Sequence, residues 1–361
     1  MKTLVLILGL LLAADGALGA GRTMLQGDHG DVSVLPGGCT SCHRGMMFRV
    51  AEEGICLKCH GSEAARQEEI ARGFLKSTGN LSLGDIEQEL RKPYNHPVLS
   101  VSGVHQRNEA LPEEVVDAKR HAECHDCHNS HEVTREEPLR GVRGRRVGNL
   151  IADIEKEYEL CYRCHSDSAN LPLRSTNKHA EFKTSNPSYH PVEGEGVSAF
   201  VISLREPYAA RKERPGDVSI ISCRDCHGSD DPSAPKGPHG SRFEGLLSLH
   251  YEMEDGRPES EYAYALCYKC HDRRSILANE SFPYHALHIE GNRATGGYGT
   301  SCFTCHDAHG STRNPSLIRF NETIVSPASD GKLEYKALGV SARRGECFLS
   351  CHGVEHNPLS Y

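Results

Sequence analysis

The sequence predicts a mostly irregular fold with short α-helices and little β structure, wrapped around bound groups that replace an aliphatic core. The chain has 361 residues, yet only 37% are hydrophobic and Trp is absent, although a chain of this length can ordinarily bury a normal core. Its 35 Gly and 18 Pro interrupt regular structure throughout. Its 16 Cys exceed ordinary usage and offer attachment points for bound groups.

Short helices are expected where apolar residues recur at helical spacing. The expected segments are 62–76, 112–120 and 149–159. The apolar positions that set this spacing are Ala64, Ala71 and Phe74 in the first segment and Ile151, Ile154 and Tyr158 in the last.

The first residues have the pattern of an export signal. Lys2 precedes an apolar stretch over 4–14, which is too short to span a bilayer, and Ala17 and Gly19 suit cleavage before Ala20. We expect 1–19 to be a signal peptide and the mature protein to be exported. An uncleaved anchor is the alternative, which the short apolar stretch disfavours. No later segment has about 18 consecutive apolar residues, so we expect a chain that does not span the membrane.

The 16 cysteines form eight pairs, and a His directly follows each pair. Seven pairs have the spacing C-x-x-C-H, whereas the eighth is stretched by one residue between Cys347 and Cys351 and ends at His352. The seven regular motifs are Cys39–Cys42–His43, Cys56–Cys59–His60, Cys124–Cys127–His128, Cys161–Cys164–His165, Cys223–Cys226–His227, Cys267–Cys270–His271 and Cys302–Cys305–His306.

This spacing is typical of covalent haem attachment. Two thiols one helical turn apart each form a thioether with one haem vinyl group, and the adjacent His reaches the iron from the proximal face. The sequence therefore predicts eight covalent haem c groups, held by all 16 cysteines. The expected proximal ligands are His43, His60, His128, His165, His227, His271, His306 and His352.

Three other uses of paired cysteines explain the pattern less well. Structural zinc needs cysteine pairs that converge on four-ligand sites, and it does not require a His after every pair. A disulfide framework suits an exported protein but predicts no fixed His position. Thioredoxin-like chemistry needs one such motif on an α/β scaffold rather than eight in a loop-rich chain.

The motifs repeat in pairs along the chain. Leu-Cys-Tyr-Arg-Cys-His at 160–165 matches Leu-Cys-Tyr-Lys-Cys-His at 266–271, and 55–60 is a looser copy. After each of these three motifs comes a single His in an apolar or Pro-rich setting. A second motif follows that His, and another His follows the second motif. Motifs 2–3, 4–5 and 6–7 therefore form three pairs, with motifs 1 and 8 at the ends. Such repeats are typical of arrays that stack neighbouring units.

On these motifs, most clearly at 120–131, 222–241 and 262–311, the chain resembles the doubled-CxxCH family of multihaem cytochromes. The resemblance implies a multihaem cytochrome c fold around a haem array, with low-spin haems that have His on both sides of the iron. It also implies electron relay outside the cytoplasm of a Gram-negative bacterium, in the periplasm or at the outer surface. We expect a three-haem segment over 20–140 and a five-haem segment over 141–361.

Eight of the 22 His are the expected proximal ligands, and the other fourteen remain for the eight distal positions. The preferred set is His96, His131, His190, His239, His288, His309 and His356, with His121 or His105 as the eighth. His285 is the alternative to His288, and His29, Met46 or Met47 are alternatives for haem 1. His131 follows His128 by only three residues, so it should ligate a neighbouring haem rather than its own. His125, His179 and His250 are not expected to be ligands.

The expected function is electron transfer without bond chemistry, because two protein ligands on every iron leave no position for a substrate. Candidate partners are other redox proteins, an outer-membrane electron conduit, an extracellular acceptor in anaerobic respiration, or further copies in a filament. The formal net charge of −8 argues against nucleic acid. The alternative is a multihaem reductase of a small nitrogen or sulfur oxyanion. The related reductases carry C-x-x-C-K at the active haem, whereas all eight motifs here end in His.

We expect the mature polypeptide to carry eight covalent haems and no free thiol, because the motifs use every cysteine. Intact mass before and after treatment with a thiol-blocking reagent measures both quantities. Free sulfhydryls, zinc or disulfides in place of thioethers would contradict the assignment.

Overall fold

Most of the chain is irregular, with few and mostly short helices and small sheets. The predicted irregular fold with short helices is therefore confirmed. The computed structural model describes residues 25–44, 52–76, 83–99, 122–145, 151–166, 171, 175–198, 201–212, 221–292, 297–339 and 343–361.

The helices are brief and several coincide with cysteine motifs. Within the described residues, 3₁₀ turns cover Cys223–Asp225 and Glu244–Leu246. The α-helices are α1 Gly27–Gly30, α2 Cys39–Cys42, α3 Glu52–His60, α4 Glu63–Ala71, α5 Ile86–Leu90, α6 Cys124–Cys127, α7 Glu157–His165, α8 Lys178–Phe182, α9 Tyr208–Lys212, α10 Ala265–Tyr268, α11 Arg273–Leu277, α12 His285–Glu290 and α13 Cys302–Cys305.

The helix expected at 62–76 is present as α4, and its length follows from its capping. Ser62 Oγ accepts from the Ala65 amide at 3.3 Å and satisfies one of the first unpaired N–H groups. The helix ends two residues before Gly73, which adopts φ +76°, the left-handed conformation that commonly terminates helices.

The prediction of a helix over 149–159 is wrong at 151–153, the first residues of this segment that the structure describes. Residues 151–153 form a strand, and the helix α7 begins only at Glu157. Gly144 and Ala152 are opposed in the ladder, so tertiary pairing overrides the helical spacing of the isoleucines; β-branched side chains also favour strands. The segment 112–120 lies outside the described residues.

Short antiparallel pairs join distant parts of the chain. The two-stranded sheets are β1 Tyr94–Asn95 with β5 Gly240–Ser241, β2 Arg143–Arg145 with β3 Ile151–Asp153, and β4 Ser188–Tyr189 with β6 Gly310–Ser311. In each of the pairs β1–β5 and β4–β6, the first strand directly precedes a His-Pro sequence, at His96 or His190. The second strand directly follows another His, His239 or His309. The repeat seen in the sequence is thus also a repeat of structure.

A four-stranded antiparallel sheet forms the C-terminal part and was not anticipated from the sequence. Its strands are β7 Val325–Ser326, β8 Glu334–Ala337, β9 Gly345–Cys351 and β10 Val354–Ser360. Strand β9 is central. It pairs with β10 along one side and with both β7 and β8 along the other side. The eighth cysteine motif lies on β9.

Side chains form only small apolar clusters among the described residues. One consists of Ala263, Tyr264, Tyr268 and Ile289, and another of Tyr162, Phe182 and Val192. Several glutamates are also buried, among them Glu69, Glu89 and Glu123. Such small clusters agree with an interior that bound groups must complete. Within the described residues, no helix is both long enough and apolar enough to cross a bilayer.

We expect Gly240→Ala to lower the free energy of unfolding by about 1–3 kcal/mol, as overpacking of a tight contact does. A Cβ at Gly240 would lie 1.8 Å from the carbonyl oxygen of Glu89, so β5 would have to move. Chemical denaturation followed by circular dichroism measures the effect. The control is Gly54→Ala in α3, where the added Cβ meets no heavy atom within 4 Å and stability should stay equal or rise by up to about 1 kcal/mol. Equal losses in both variants would contradict the packing argument.

Candidate haem-binding site

Five of the seven regular motifs have both cysteines in an α-helix. The helix α10 contains only the first cysteine of the sixth motif, and the fifth motif begins on the 3₁₀ turn Cys223–Asp225. The His amide closes the turn: His43 N donates to Cys39 O at 2.8 Å and His306 N donates to Cys302 O at 2.9 Å. Residues three apart on a helix have Cβ atoms about 5–6 Å apart, so both thiols of a motif can reach one macrocycle.

The eighth motif has a different geometry because it lies in a strand. Cys347 and Cys351 are four residues apart on β9, which places their Cα atoms about 13 Å apart at the rise of a strand. His352 follows in the hairpin turn with φ +50°. The imidazole Nε2 of His352 lies 3.3 Å from Asp255 Oδ2.

Each His of the seven regular motifs faces a His from outside the motifs. Two imidazoles that share a metal have nitrogens about 4 Å apart and ring centroids roughly 6 Å apart, and the seven centroid distances are 6.0 to 6.4 Å. The residues present therefore fit haem iron. The pairs are His43 with His131, His60 with His29, His128 with His239, His165 with His96, His227 with His309, His271 with His190, and His306 with His285.

Six of the non-motif histidines are joined in couples by a repeated hydrogen bond. The couples are His29 with His131, His96 with His239, and His190 with His309. In each, Nδ1–H of the first His donates to the backbone carbonyl of the residue that directly precedes the second. The acceptors are Ser130 (2.8 Å), Pro238 (2.7 Å) and Ala308. We call these pairs the histidine couples.

The strand pairs β1–β5 and β4–β6 hold two of the histidine couples. Ser241 and Ser311 occupy matching positions after the second His, and each is buried. Ser241 Oγ donates to Leu247 O at 2.6 Å and Ser311 Oγ donates to Ile318 O at 2.7 Å. Each residue of the His-Gly-Ser sequence therefore has a separate role. The His supplies an imidazole, the Gly permits the close contact between strands because it lacks a Cβ, and the Ser hydroxyl donates a hydrogen bond to the following loop.

The motif histidines are oriented by the same kind of bond. The Nδ1–H groups of His128, His227 and His306 donate to backbone carbonyls at 2.8 to 3.0 Å. A ring that donates through Nδ1 to a carbonyl keeps the lone pair of Nε2 for a metal. Burial and the neighbouring His29 and His128 rings lower the pKa of His60 to about 4, so the ring is neutral, as a ligand must be.

Successive motifs lie next to one another in chain order. A hydrogen bond with Cys223, together with burial, raises the pKa of the Cys161 thiol. Burial and the nearby Cys347 and Cys351 thiols raise the pKa of Cys305 to about 12. The neighbouring side chains of adjacent motifs are Cys42 and Cys59, His60 and His128, Cys127 and Cys161, Cys161 and Cys223, Cys226 and Cys270, Cys267 and Cys302, and Cys305 with Cys347 and Cys351.

The structure rearranges part of the expected ligand set. His29, expected as an alternative for haem 1, lies instead against His60 of motif 2. His285 rather than His288 faces motif 7. His288 faces His356, with ring centroids 6.5 Å apart, while His352 has no His ring beside it among the described residues.

The histidines that were not expected to be ligands have other contacts. His179 stacks on Tyr162 at 5.4 Å, His250 stacks on Tyr262 at 4.5 Å, and His125 pairs with Glu123 at 3.1 Å. The candidates His105, His121, Met46 and Met47 lie outside the described residues.

The Doubled CXXCH motif family matches residues 117–170, which contain motifs 3 and 4. This match supports a multihaem c-type cytochrome, and CXXCH motifs indicate covalent binding of haem c. Neither the curated proteins nor the solved structures contain a match to the chain.

Lys92 joins the two sides of one histidine couple. Its Nζ donates to Glu89 Oε2 at 2.7 Å and to Asp230 Oδ1 at 2.9 Å. It thereby links the segment before His96 to the segment before His239. The two carboxylates are buried, with 5% and 2% of their side chains exposed. Asp230 also pairs with Arg242, so Glu89 is the carboxylate that relies more on Lys92.

We expect Lys92→Met to lower the free energy of unfolding by roughly 1–3 kcal/mol, because the buried Glu89 carboxylate loses this cation while Asp230 keeps Arg242. Chemical denaturation measures the effect. The matched control is Arg91→Met, whose ion pair with Glu87 is exposed and should be worth less than about 0.5 kcal/mol. A Lys92 variant as stable as the control would contradict the role of this link.

Proposed function

We propose that the protein is an octahaem c-type cytochrome that relays electrons. The observation that carries the proposal is the set of seven motif histidines, each facing a second His at the spacing of two imidazoles on one iron. In this proposal the motif His is the proximal ligand and its partner is the distal ligand. Haem supplies reversible one-electron chemistry.

The protein side chains favour relay over catalysis. With an imidazole on each face, an iron has no position for a substrate. The Nδ1–H bonds to backbone carbonyls restrain the rings in both oxidation states, which keeps structural change on electron transfer small. Thus these residues would hold and orient the haems, and they would not transfer protons or take part in bond-making or bond-breaking steps.

The order of the motifs in space supports a continuous path. Neighbouring motifs have side chains close together from the first motif to the eighth, in the order of the sequence. The path also crosses the proposed boundary between the three-haem and five-haem segments, because Cys127 lies near Cys161. Electrons would therefore enter near one end of the array and leave near the other.

The proposed setting is outside the cytoplasm, with redox proteins as partners. The signal-like 1–19 and the covalent attachment of haem support export. The net charge of −8, made more negative by haem propionates, supports donors and acceptors with a basic face.

Electron paramagnetic resonance of the oxidised protein tests the proposal. We expect every iron to be low-spin. A high-spin ferric signal matching one iron per chain in the wild-type protein would favour the oxyanion reductase instead.

We expect His29→Ala to convert about one eighth of the iron to the high-spin state, because the iron beside His60 loses its second imidazole. The matched control is His250→Ala, which removes a His that stacks on Tyr262 and faces no motif, and all iron should stay low-spin. Intact mass confirms equal haem content in both proteins. Entirely low-spin iron in the His29 variant would contradict the assignment.

A further inference from the structure

Eight histidines of the seven facing pairs have a neutral partner at Nδ1. His271 and His285 lie 3.0 and 3.3 Å from the hydroxyls of Ser203 and Ser281. The other six donate to backbone carbonyls, and they are His29, His96, His128, His190, His227 and His306. Partners of this kind orient a ring without placing a charge beside it.

His309, which faces His227 of motif 5, differs from these eight because a carboxylate lies beside its Nδ1. The distance from Nδ1 to Asp307 Oδ1 is 3.2 Å, and only 16% of the Asp307 side chain is exposed. Glu181 Oε2 is farther from the same nitrogen, at 3.6 Å. A ring that gives Nε2 to iron carries its proton on Nδ1, so Asp307 is the acceptor within hydrogen-bond distance of that N–H.

Lys178 lies close to the same nitrogen but does not compete with Asp307. Its Nζ is 3.3 Å from His309 Nδ1, yet an ammonium group can only donate, and so can the Nδ1–H of a ring that gives Nε2 to iron. Lys178 has its own acceptors, because it donates to Thr176 Oγ1 at 2.7 Å and to Glu181 Oε2 at 2.8 Å.

Asp307 is held in this position through both of its carboxylate oxygens. Oδ1 also accepts from the His309 amide at 2.9 Å, and Oδ2 accepts from the Arg319 guanidinium at 2.7 Å. Arg319 is in turn tied to motif 7, since its amide donates to Cys305 O at 2.9 Å. Asp307 therefore cannot turn away from the His309 ring without losing these bonds.

The matching segment after motif 3 has an amide in place of this carboxylate. His-Asn-Ser-His at 128–131 corresponds to His-Asp-Ala-His at 306–309. Asn129 Oδ1 accepts from the His131 amide at 3.1 Å, as Asp307 Oδ1 does from the His309 amide. The turn thus requires a side-chain oxygen but no negative charge, so the charge of Asp307 needs a separate explanation.

We propose that Asp307 lowers the reduction potential of the haem of motif 5 by accepting a hydrogen bond from Nδ1–H of its distal ligand, His309. A carboxylate acceptor makes an imidazole a more basic ligand, and a more basic ligand stabilises ferric iron more than ferrous iron. Asp307 is a positioning residue, because it acts on the iron through His309. This inference rests on the proposed function and deepens it, since it assigns one residue that sets a potential within the array.

Redox titration of the full-length exported protein tests the inference. We expect Asp307→Asn to raise the potential of about one eighth of the iron by a roughly tenfold change in the reduction equilibrium, which is about 59 mV for a one-electron couple. Asn occupies the matching position at 129, so the turn should remain. The matched control is Asp272→Asn, which also directly follows a motif His but whose carboxylate caps α11, and its potentials should stay unchanged.

Two further variants separate an effect through the ring from an effect of charge alone. In His309→Ala the iron of motif 5 should become high-spin, so electron paramagnetic resonance follows its potential apart from the others. Adding Asp307→Asn to this variant should cause no comparable rise, because the bonded ring is gone. Arg319→Met removes the cation that shares Asp307 and should lower the same potential. Intact mass gives the number of haems in every variant.

An unchanged potential in Asp307→Asn, an equal rise in Asp272→Asn, or an equal rise in the His309→Ala background would overturn the inference, while the facing pairs would stand. A rise instead of a fall in Arg319→Met would overturn it as well. Entirely low-spin iron in His309→Ala with eight haems present would overturn the pairing of His309 with motif 5 in the proposed function, and the inference would fall with it.

Discussion

The spacing between two imidazoles on one metal is the constraint on which this structure depends. Ring centroids about 6 Å apart recur seven times between a motif and a His that is distant in sequence, as in His128 with His239 and His227 with His309. Each pair closes a long loop of chain, which costs conformational entropy. Because the apolar clusters are small, ligation and the buried macrocycles must supply much of the energy that opposes this cost, as metal binding does in small metal domains.

The histidine couples explain how these separate constraints become one array. In each couple, the ring of one His donates to the carbonyl that directly precedes the other, so a single contact joins two of the facing His pairs. The couples serve motifs 1 and 2, 3 and 4, and 5 and 6, whereas the sequence repeats group motifs 2–3, 4–5 and 6–7. The two groupings are offset by one motif. Together, the couples and the sequence repeats connect the seven regular motifs in chain order.

The eighth motif shows how one added residue accompanies a different local backbone. Its cysteines lie on a strand rather than on a helical turn, and the adjacent His352 lies in a hairpin turn near Asp255. The C-terminal end of the array of motifs thus differs in construction from its interior.

The sequence by itself determined the cofactor chemistry and the character of the fold. Cysteine spacing, the adjacent His and the scarcity of aliphatic residues are local properties, so eight attachment motifs and a largely irregular chain could be predicted from them. The partners of those histidines could not, because pairing joins residues distant along the chain, as His29 to His60 and His190 to His271. The strand at 151–153 and the sheet around β9 likewise depend on segments that approach from elsewhere. Tertiary structure decided which imidazole meets which, since a local pattern contains no information about the distance between remote side chains.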